Sequence, residues 1–329
     1  MKLGVLLLNL GGPSNLKEVG PFLFNLFSDS DIIPVPFSKW LQKPIAYLIA
    51  ISRKRLSSGY YQAIGGGSPL ARITSEQAGH LEQKLKNYFK DVRVYVAMRY
   101  WRPSTREAWQ RIRDDRRTHL VVLPLYPHYS IATIGSSMKA LDSVMRDEPL
   151  AMSQERIEAW YHHPLYIEAV ADHIEKAVCK LPSRYRNDFD LIFSAHSLPM
   201  KIIRAGDPYE KQIHETIRLV LERLHSKPDW PKPDWHLSYQ SKTGLIRWLE
   251  PSTSDLLKQL AGRHRRALLM VPISFVSDHV ETLYEIDILY RSEAQQLGFP
   301  HFSRVDSLNV APKFMDALAD LVRGRCGVR

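Results

Sequence analysis

Residues 276–287, VSDHVETLYEID, place four carboxylates and a histidine directly after the apolar run 267–275. Carboxylates and imidazole at this density can move protons or hold a metal ion. If Asp278 caps a helix, Glu281 falls at its third position, the usual partner in a capping pair. At about 100° per residue, Asp278, Glu281 and Glu285 then form one acidic stripe. Leu283, Ile286 and Tyr290 point the other way, toward a core. An acidic first turn also complements the helix dipole. That accounts for one or two acids, but not for the stripe together with His279.

A second histidine, His196, lies in Ser194-Ala-His-Ser-Leu-Pro199 at the end of another apolar run. Alone it reads as a turn histidine satisfied by its neighbours. Beside an acidic stripe from a different strand end, it reads as a base or a metal ligand.

The elements that must position these residues alternate along the chain. Strands are expected at 3–9, 92–98, 119–125, 189–194, 235–240 and 267–275. Helices are expected at 74–89 and 104–115, where Thr74/Gln77 and Ser104/Glu107 fit capping boxes. Further helices are expected at 165–180, 208–225, 252–262, 278–296 and 311–323. Strands alternating with helices imply an α/β protein with parallel sheets covered on both faces. Two similar halves follow, 1–155 and 156–329, with the last helix free to pack back on the first half. The unusual residues fall at strand ends: Gly11-Gly12-Pro13, Arg99-Tyr100, Tyr126-Pro-His-Tyr-Ser130, Ser194–Pro199 and Ser277–Glu281. Ligands of open parallel sheets bind outside the carboxyl ends of the strands, so polar residues from both halves are expected to converge on one cleft.

The 329 residues carry 45 Lys and Arg against 35 Asp and Glu, a net charge of +10 that attracts anions: lipid headgroups, nucleic acid or an acidic substrate. The basic residues show no RNP, zinc-finger or basic-zipper arrangement, so nucleic acid is not expected as a partner. The two cysteines, Cys179 and Cys326, exclude a disulfide framework and fit a reducing compartment. Cys179 lies in the helical pattern IEKAVCKL, where a small buried residue is expected. Gly65-Gly-Gly-Ser-Pro69 lacks the GK[ST] of a phosphate loop and reads as a flexible or closely approached wall. No G-x-S-x-G is present, and His162-His163, being adjacent, make a poor metal pair. The start, MKLGVLLLNLGGP, reads as a first strand rather than a signal peptide. No run reaches the ~18 uncharged apolar residues needed to span a bilayer, so the protein is expected to be soluble or to sit on a surface. Residues 31–55, DIIPVPFSKWLQKPIAYLIAISRKR, fit either a core helix over 41–51 with a solvated basic end, or an apolar lip that dips into a membrane interface while its cations meet anionic headgroups.

Taken together, NLGGPSNLKEVGPFLFNLFSD, YYQAIGGGSPL, MRYWRPSTREA, PLYPHYSIATIGSS, LIFSAHSLPM, GDPYEKQI, YQSKTG, PISFVSDHVETLYEID and VDSLN resemble the ferrochelatase family over nearly the whole chain. The resemblance implies two Rossmann-like doubly wound domains with a porphyrin cleft between them, and insertion of ferrous iron into protoporphyrin IX to give protohaem. By motif, His196 and Glu281 resemble the facing pair at the metal-insertion site. Glu285 and Asp278 extend an acidic path, and His279 supports it. Arg99 and Tyr100 match residues on the opposite side of the porphyrin. Tyr61, Ser68, Tyr126 and Ser130 match other cleft residues, Trp160 and Trp248 cleft-lining tryptophans, and Arg53 a lip arginine that meets a propionate. Leu10 stands where several relatives have Met, on an apolar cleft wall.

Cluster-bearing relatives carry a cysteine-rich tail and a cysteine in the segment occupied here by Ile131. A two-iron two-sulfur cluster needs four ligands, so no iron–sulfur cluster and no permanently bound cofactor are expected; Fe2+ is a substrate. The apolar lip at 31–55 resembles members that take protoporphyrin from a membrane, rather than users of the more acidic coproporphyrin. Partners implied are porphyrin, ferrous iron, a membrane surface and the preceding haem-pathway enzyme. The implied location is cytoplasmic, on the inner face of the cytoplasmic membrane. Other tetrapyrrole metal chelatases and a non-catalytic haem-binding protein stand as alternatives. The sequence leaves open whether His196 or the acidic stripe takes the pyrrole protons.

Overall fold

The computed structural model describes residues 1–32, 40–242, 244, 246–263 and 266–328. Two four-stranded parallel sheets dominate it. The first contains β1 (Leu3–Asn9), β2 (Val92–Met98), β3 (His119–Pro124) and β4 (Ser153–Arg156) in the order β2-β1-β3-β4. The second contains β5 (Phe189–His196), β6 (Asp234–Gln240), β7 (Ala267–Pro272) and β8 (Phe302–Arg304) in the order β6-β5-β7-β8. The second order repeats the first. In each, the chain leaves the opening strand to one side and returns on the other, so the switch point lies between β1 and β3 or between β5 and β7. Parallel strands are covered on both faces and need apolar side chains throughout. All seven residues of β1, LGVLLLN, are accordingly buried.

The helices are α1 (Val19–Phe27), α2 (Gln42–Ala63), α3 (Leu70–Leu85), α4 (Thr105–Asp114), α5 (Ser136–Asp147), α6 (Pro164–Lys180), α7 (Met200–Arg204), α8 (Tyr209–His225), α9 (Thr253–Arg263), α10 (Arg291–Gln296) and α11 (Pro312–Arg325). Two compact units result: Met1–Ala159 with Leu318–Arg329, and Trp160–Ala317. In the first, Leu6, Leu8, Trp109, Ile112, Val122 and Leu141 form a core between sheet and helices. In the second, Ile192, Leu257, Leu268, Met270, Ile286 and Tyr290 do the same.

The six expected strands are present, with corrections at their edges. The run 267–275 stops as a strand at Pro272, and Ile273 N–H then bonds Ser194 O at 3.0 Å. Strands β4 and β8 were not expected, being only four and three residues long. The capping box at Ser104 and Glu107 forms as the spacing predicts. The one at Thr74 does not. Helix α3 begins four residues earlier, after Ser68-Pro69, and Thr74 is buried inside it, accepting from Asn9 Nδ2 at 3.0 Å and donating to Leu70 O at 2.7 Å. A threonine in mid-helix can back-bond in this way, so the same residue type mimics a cap in the sequence. Cys179 faces solvent rather than the core.

Gly65–Pro69 is a closely approached wall. A Cβ on Gly67 would fall 2.3 Å from Ser14 O, and one on Gly12 would fall 2.7 Å from Ser68 Oγ. The stretches after β1 and α2 therefore pack closely, Gly67 on the Ser14 backbone and Gly12 on the Ser68 side chain, as only glycine permits.

The expected helix 278–296 is two structures. Residues Glu281–Tyr290 are wound as a π-helix with i→i+5 hydrogen bonds, and α10 continues from Arg291. A shorter π-turn, Ile131–Gly135, occupies the corresponding place after β3, closed by Gly135 N–H on Ser130 O at 3.1 Å. Such windings are rare and concentrate at functional sites.

Candidate active site

Three adjacent strand ends of the second sheet supply the site. Strand β5 ends at His196, β6 ends at Gln240 with Ser241 just beyond, and the chain after β7 leads to His279 and the π-helix. His196 N–H donates to Ser274 Oγ at 2.8 Å, and the Tyr209 hydroxyl donates to His196 O at 3.0 Å, fixing the backbone under the ring.

His196 Nδ1 lies 2.8 Å from Glu281 Oε2. The same oxygen accepts from Gln240 Nε2 at 2.9 Å, and Gln240 is itself oriented by Ser194 Oγ donating to its Oε1 at 2.7 Å. Burial favours the neutral acid, but the charge and hydrogen bond of His196, aided by His279, hold Glu281 well below the carboxylate range. For His196, burial works against the charge, and the Glu281 charge and hydrogen bond outweigh it, raising the ring's pKa. An ionised Glu281 accepts, so Nδ1 carries the hydrogen. Nε2 makes no hydrogen bond among the described residues and is left for chemistry.

Ser241 couples a second carboxyl. Its Oγ lies 2.9 Å from Glu281 Oε2 and 2.7 Å from Glu285 Oε2. A hydroxyl has one proton, so it donates to only one of them at a time. Glu281 already accepts from two N–H groups. The Ser241 hydroxyl can give that proton to either carboxyl, so it ties Glu281 and Glu285 into one coupled unit. Burial first, and then the charge of Glu281, push the Glu285 pKa up to about 8. Ser241 has a φ of +64°, a left-handed conformation that costs a non-glycine residue energy and is found at functional sites.

The stripe divides at this point. Glu281 and Glu285 stay together, but the Asp278 carboxylate is turned into a separate polar nest. Its Oδ1 accepts from Arg304 Nη1 at 3.0 Å and from Ser307 Oγ at 2.8 Å, and its Oδ2 from Asn309 Nδ2 at 2.9 Å. Asp278 does not cap the helix onto Glu281, whose turn starts after Val280. His279 donates through Nδ1 to Ser277 O at 3.1 Å, with its ring against Phe275 at 4.1 Å between centroids. Its Nε2 sits 3.8 Å from Glu281 Oε1, too far for a hydrogen bond. Groups able to offer a lone pair to a passing cation are His196 Nε2 and the carboxyls of Glu281 and Glu285. Among the described residues, no cluster of three or more His, Cys, Asp or Glu side chains forms a ready-made metal cage.

The remaining residues singled out by sequence lie mainly in the first unit. Arg99 Nη2 and the Tyr100 hydroxyl both donate to Asp29 Oδ2, at 2.8 and 2.7 Å, and Arg99 Nε donates to Ser136 Oγ at 2.7 Å. Asp29 is buried; burial would raise its pKa, but Ser136, Tyr100 and Arg99 together lower it. Arg99 is thus already paired. Ser130 is buried and accepts from Ala132 N–H at 3.2 Å, capping the π-turn. Tyr61 and Tyr126 are buried, Ser68 receives the Pro13 carbonyl on its N–H, and Leu10 and Arg53 are half-buried. In the second unit, Trp160 is 1% exposed and packs edge-on against Tyr166, whereas Trp248 is half-buried and bridges to Pro199. Sequence reasoning gave no role to Gln240, Ser241, Asp29 or Arg304. The first two lie in the YQSKTG motif, which marked the place but not the contacts.

Paired doubly wound sheets with a histidine–carboxylate couple at a switch point define a chelatase-type α/β protein. The fold is similar to solved structures of the sirohydrochlorin chelatase SirB from Bacillus subtilis, with TM-scores of 0.54 and 0.56 at 12% and 10% identity, over 99% of this chain and 96% of those chains. The chain belongs to the ferrochelatase family, whose model matches residues 2–326. It is 48% identical over 326 residues to a ferrochelatase of Gloeothece citriformis, covering 98% of this chain and 82% of that protein. Against one from Geotalea uraniireducens it is 46% identical over 321 residues, covering 98% and 97%.

The coupling of the two carboxyls gives a direct expectation. In Glu281→Gln the neighbouring negative charge is gone, so the Glu285 pKa falls below about 8. It stops short of an ordinary carboxylate value because burial, the larger cause, persists. Carbon-13 titration of the side-chain carboxyls would follow it; an unchanged or higher value contradicts the coupling.

Proposed function

We propose that this enzyme inserts ferrous iron into protoporphyrin IX, releasing two protons and giving protohaem, the terminal step of haem biosynthesis. The observation that carries the reading is His196, held by Glu281 through Nδ1 while Nε2 makes no hydrogen bond among the described residues. A free porphyrin must lose two pyrrole N–H protons as the metal enters. A neutral imidazole whose Nδ1–H is bound to a carboxylate is a stronger base at Nε2, and the same carboxylate stabilises the imidazolium once formed. His196 Nε2 takes a pyrrole proton. The Glu281–Ser241–Glu285 chain stands behind it as an acceptor of protons and a relay for the cation. Imidazole and carboxylate oxygen bind ferrous iron without the grip of thiolates, so the metal can be handed on. No iron–sulfur cluster is part of this proposal, since Cys179 and Cys326 are the only thiols.

The purified protein should insert Fe2+ or Zn2+ into protoporphyrin IX faster than into coproporphyrin. His196→Ala should lose at least about 100-fold in turnover while still quenching its fluorescence on porphyrin binding. Wild-type turnover in that variant, or no insertion by the wild type, would contradict the assignment.

We further propose a peripheral site on the inner face of the cytoplasmic membrane. No helix among the described residues is long and apolar enough to cross a bilayer. Helix α2 runs well past the expected 41–51 and turns Ala46 and Ala50 inward, leaving Tyr47, Leu48 and Ile51 exposed, with Leu48 at 65%. Trp40, just before it, is 91% exposed, and Arg53, Lys54 and Arg55 follow on the same helix. Residues 33–39 of the lip lie outside the described residues. An apolar face bordered by cations fits an anionic lipid interface. Flotation with anionic vesicles should show binding that weakens with salt and with Arg53, Lys54 and Arg55 changed to Gln; equal binding to neutral vesicles would contradict it.

A further inference from the structure

The π-helix that carries Glu281 and Glu285 has an anchor outside the site. Arg304 ends the short edge strand β8, with its side chain only 9% exposed. Its guanidinium grips Asp287 in two-pronged fashion, Nε at 3.0 Å from both carboxylate oxygens and Nη2 at 2.9 Å from Oδ2. The remaining nitrogen, Nη1, donates to Asp278 Oδ1 at 3.0 Å. Asp278 lies just ahead of the π-helix and Asp287 within it, and Glu281 and Glu285 fall between them. Ser307 and Asn309 complete the hold: Asn309 accepts from Asp278 N–H and donates to its carboxylate, both at 2.9 Å. The motif VDSLN, which the catalytic chemistry did not use, is thus the cradle for the start of the helix.

We infer that Arg304 is a positioning residue for metal insertion: by bolting Asp278 and Asp287 to β8, it sets the placing of Glu281 and Glu285 toward His196. This rests on the reading of those two carboxyls as the metal-handling pair. A π-winding over ten residues is longer than the single turns usually seen, so an external clamp has something to hold. Only a planar guanidinium can serve both carboxylates at once; a lysine ammonium offers one point of charge. A buried ion triad can also be merely structural, so the test must separate the two roles.

Arg304→Lys and Asp287→Asn each weaken the clamp while leaving His196, Glu281 and Glu285 intact. With Zn2+ and protoporphyrin varied separately, both variants should raise the KM for the metal by roughly 10–100-fold, the usual cost of losing an outer-shell partner. Porphyrin affinity, read by fluorescence quenching, should stay within twofold. In a Glu285→Gln background, Arg304→Lys should add less than twofold to the metal KM, because the element it positions is already impaired. A metal KM unchanged in both variants, an equal loss of porphyrin affinity, or a full second increment in the Glu285→Gln background would each overturn the inference. Should Arg304→Lys fail to fold, Asp287→Asn decides by the same readings. An inactive wild type would instead overturn the proposed function, so the two failures are distinct.

Discussion

The bond between His196 Nδ1 and Glu281 Oε2, 2.8 Å long, is the contact on which the rest of the site depends. A carboxylate this enclosed is costly unless its lone pairs are used. Glu281 is satisfied by three donors at one oxygen, each from a different strand end or the loop beyond it. Each donor is fixed in turn: His196 by Ser274 and Tyr209, Gln240 by Ser194. The charge of Glu281 then raises the basicity of His196 and adds to burial in raising the pKa of Glu285. One ionised group thus favours a proton on each of its two neighbours, since the same negative field raises both pKa values.

The fold makes this convergence inexpensive. In a doubly wound sheet the connections diverge at the switch point, leaving the carboxyl ends of adjacent strands open. Strand β5 lies between β6 and β7, so residues 196, 240 and those after 272 come together without a long loop. The first sheet repeats this topology, and its own switch point carries a π-turn at Ile131–Gly135. Near that turn, Asp29 gathers Arg99, Tyr100 and Ser136 as Glu281 gathers its donors.

Much of the architecture was legible because parallel strands need continuous apolar runs, and β1, β3 and β7 have them. The clustering of odd residues at strand ends was legible for the same reason. Strands β4 and β8 were not: SQER and FSR are too short and too polar to show a period. Thr74 illustrates a second limit, since a threonine that back-bonds inside a helix carries the same letters as a cap. The acidic stripe failed in part because 100° per residue assumes i→i+4 bonding. The π-winding keeps Glu281 beside Glu285, while Arg304, well downstream of both, takes Asp278 away. Ser241 could not be foreseen either: its positive φ and its two carboxyl partners exist only once β6 lies against β5.

The hydrogen on His196 Nδ1 is the central claim in its smallest form. It can be read from the long-range proton–nitrogen spectrum of histidine-labelled protein at a pH above the raised His196 pKa, where the ring is neutral. The account predicts that His196 carries its hydrogen on Nδ1, with a strongly low-field proton that moves upfield in Glu281→Gln. A neutral ring protonated at Nε2 with a bare Nδ1 would contradict it, because Nε2 could then accept nothing.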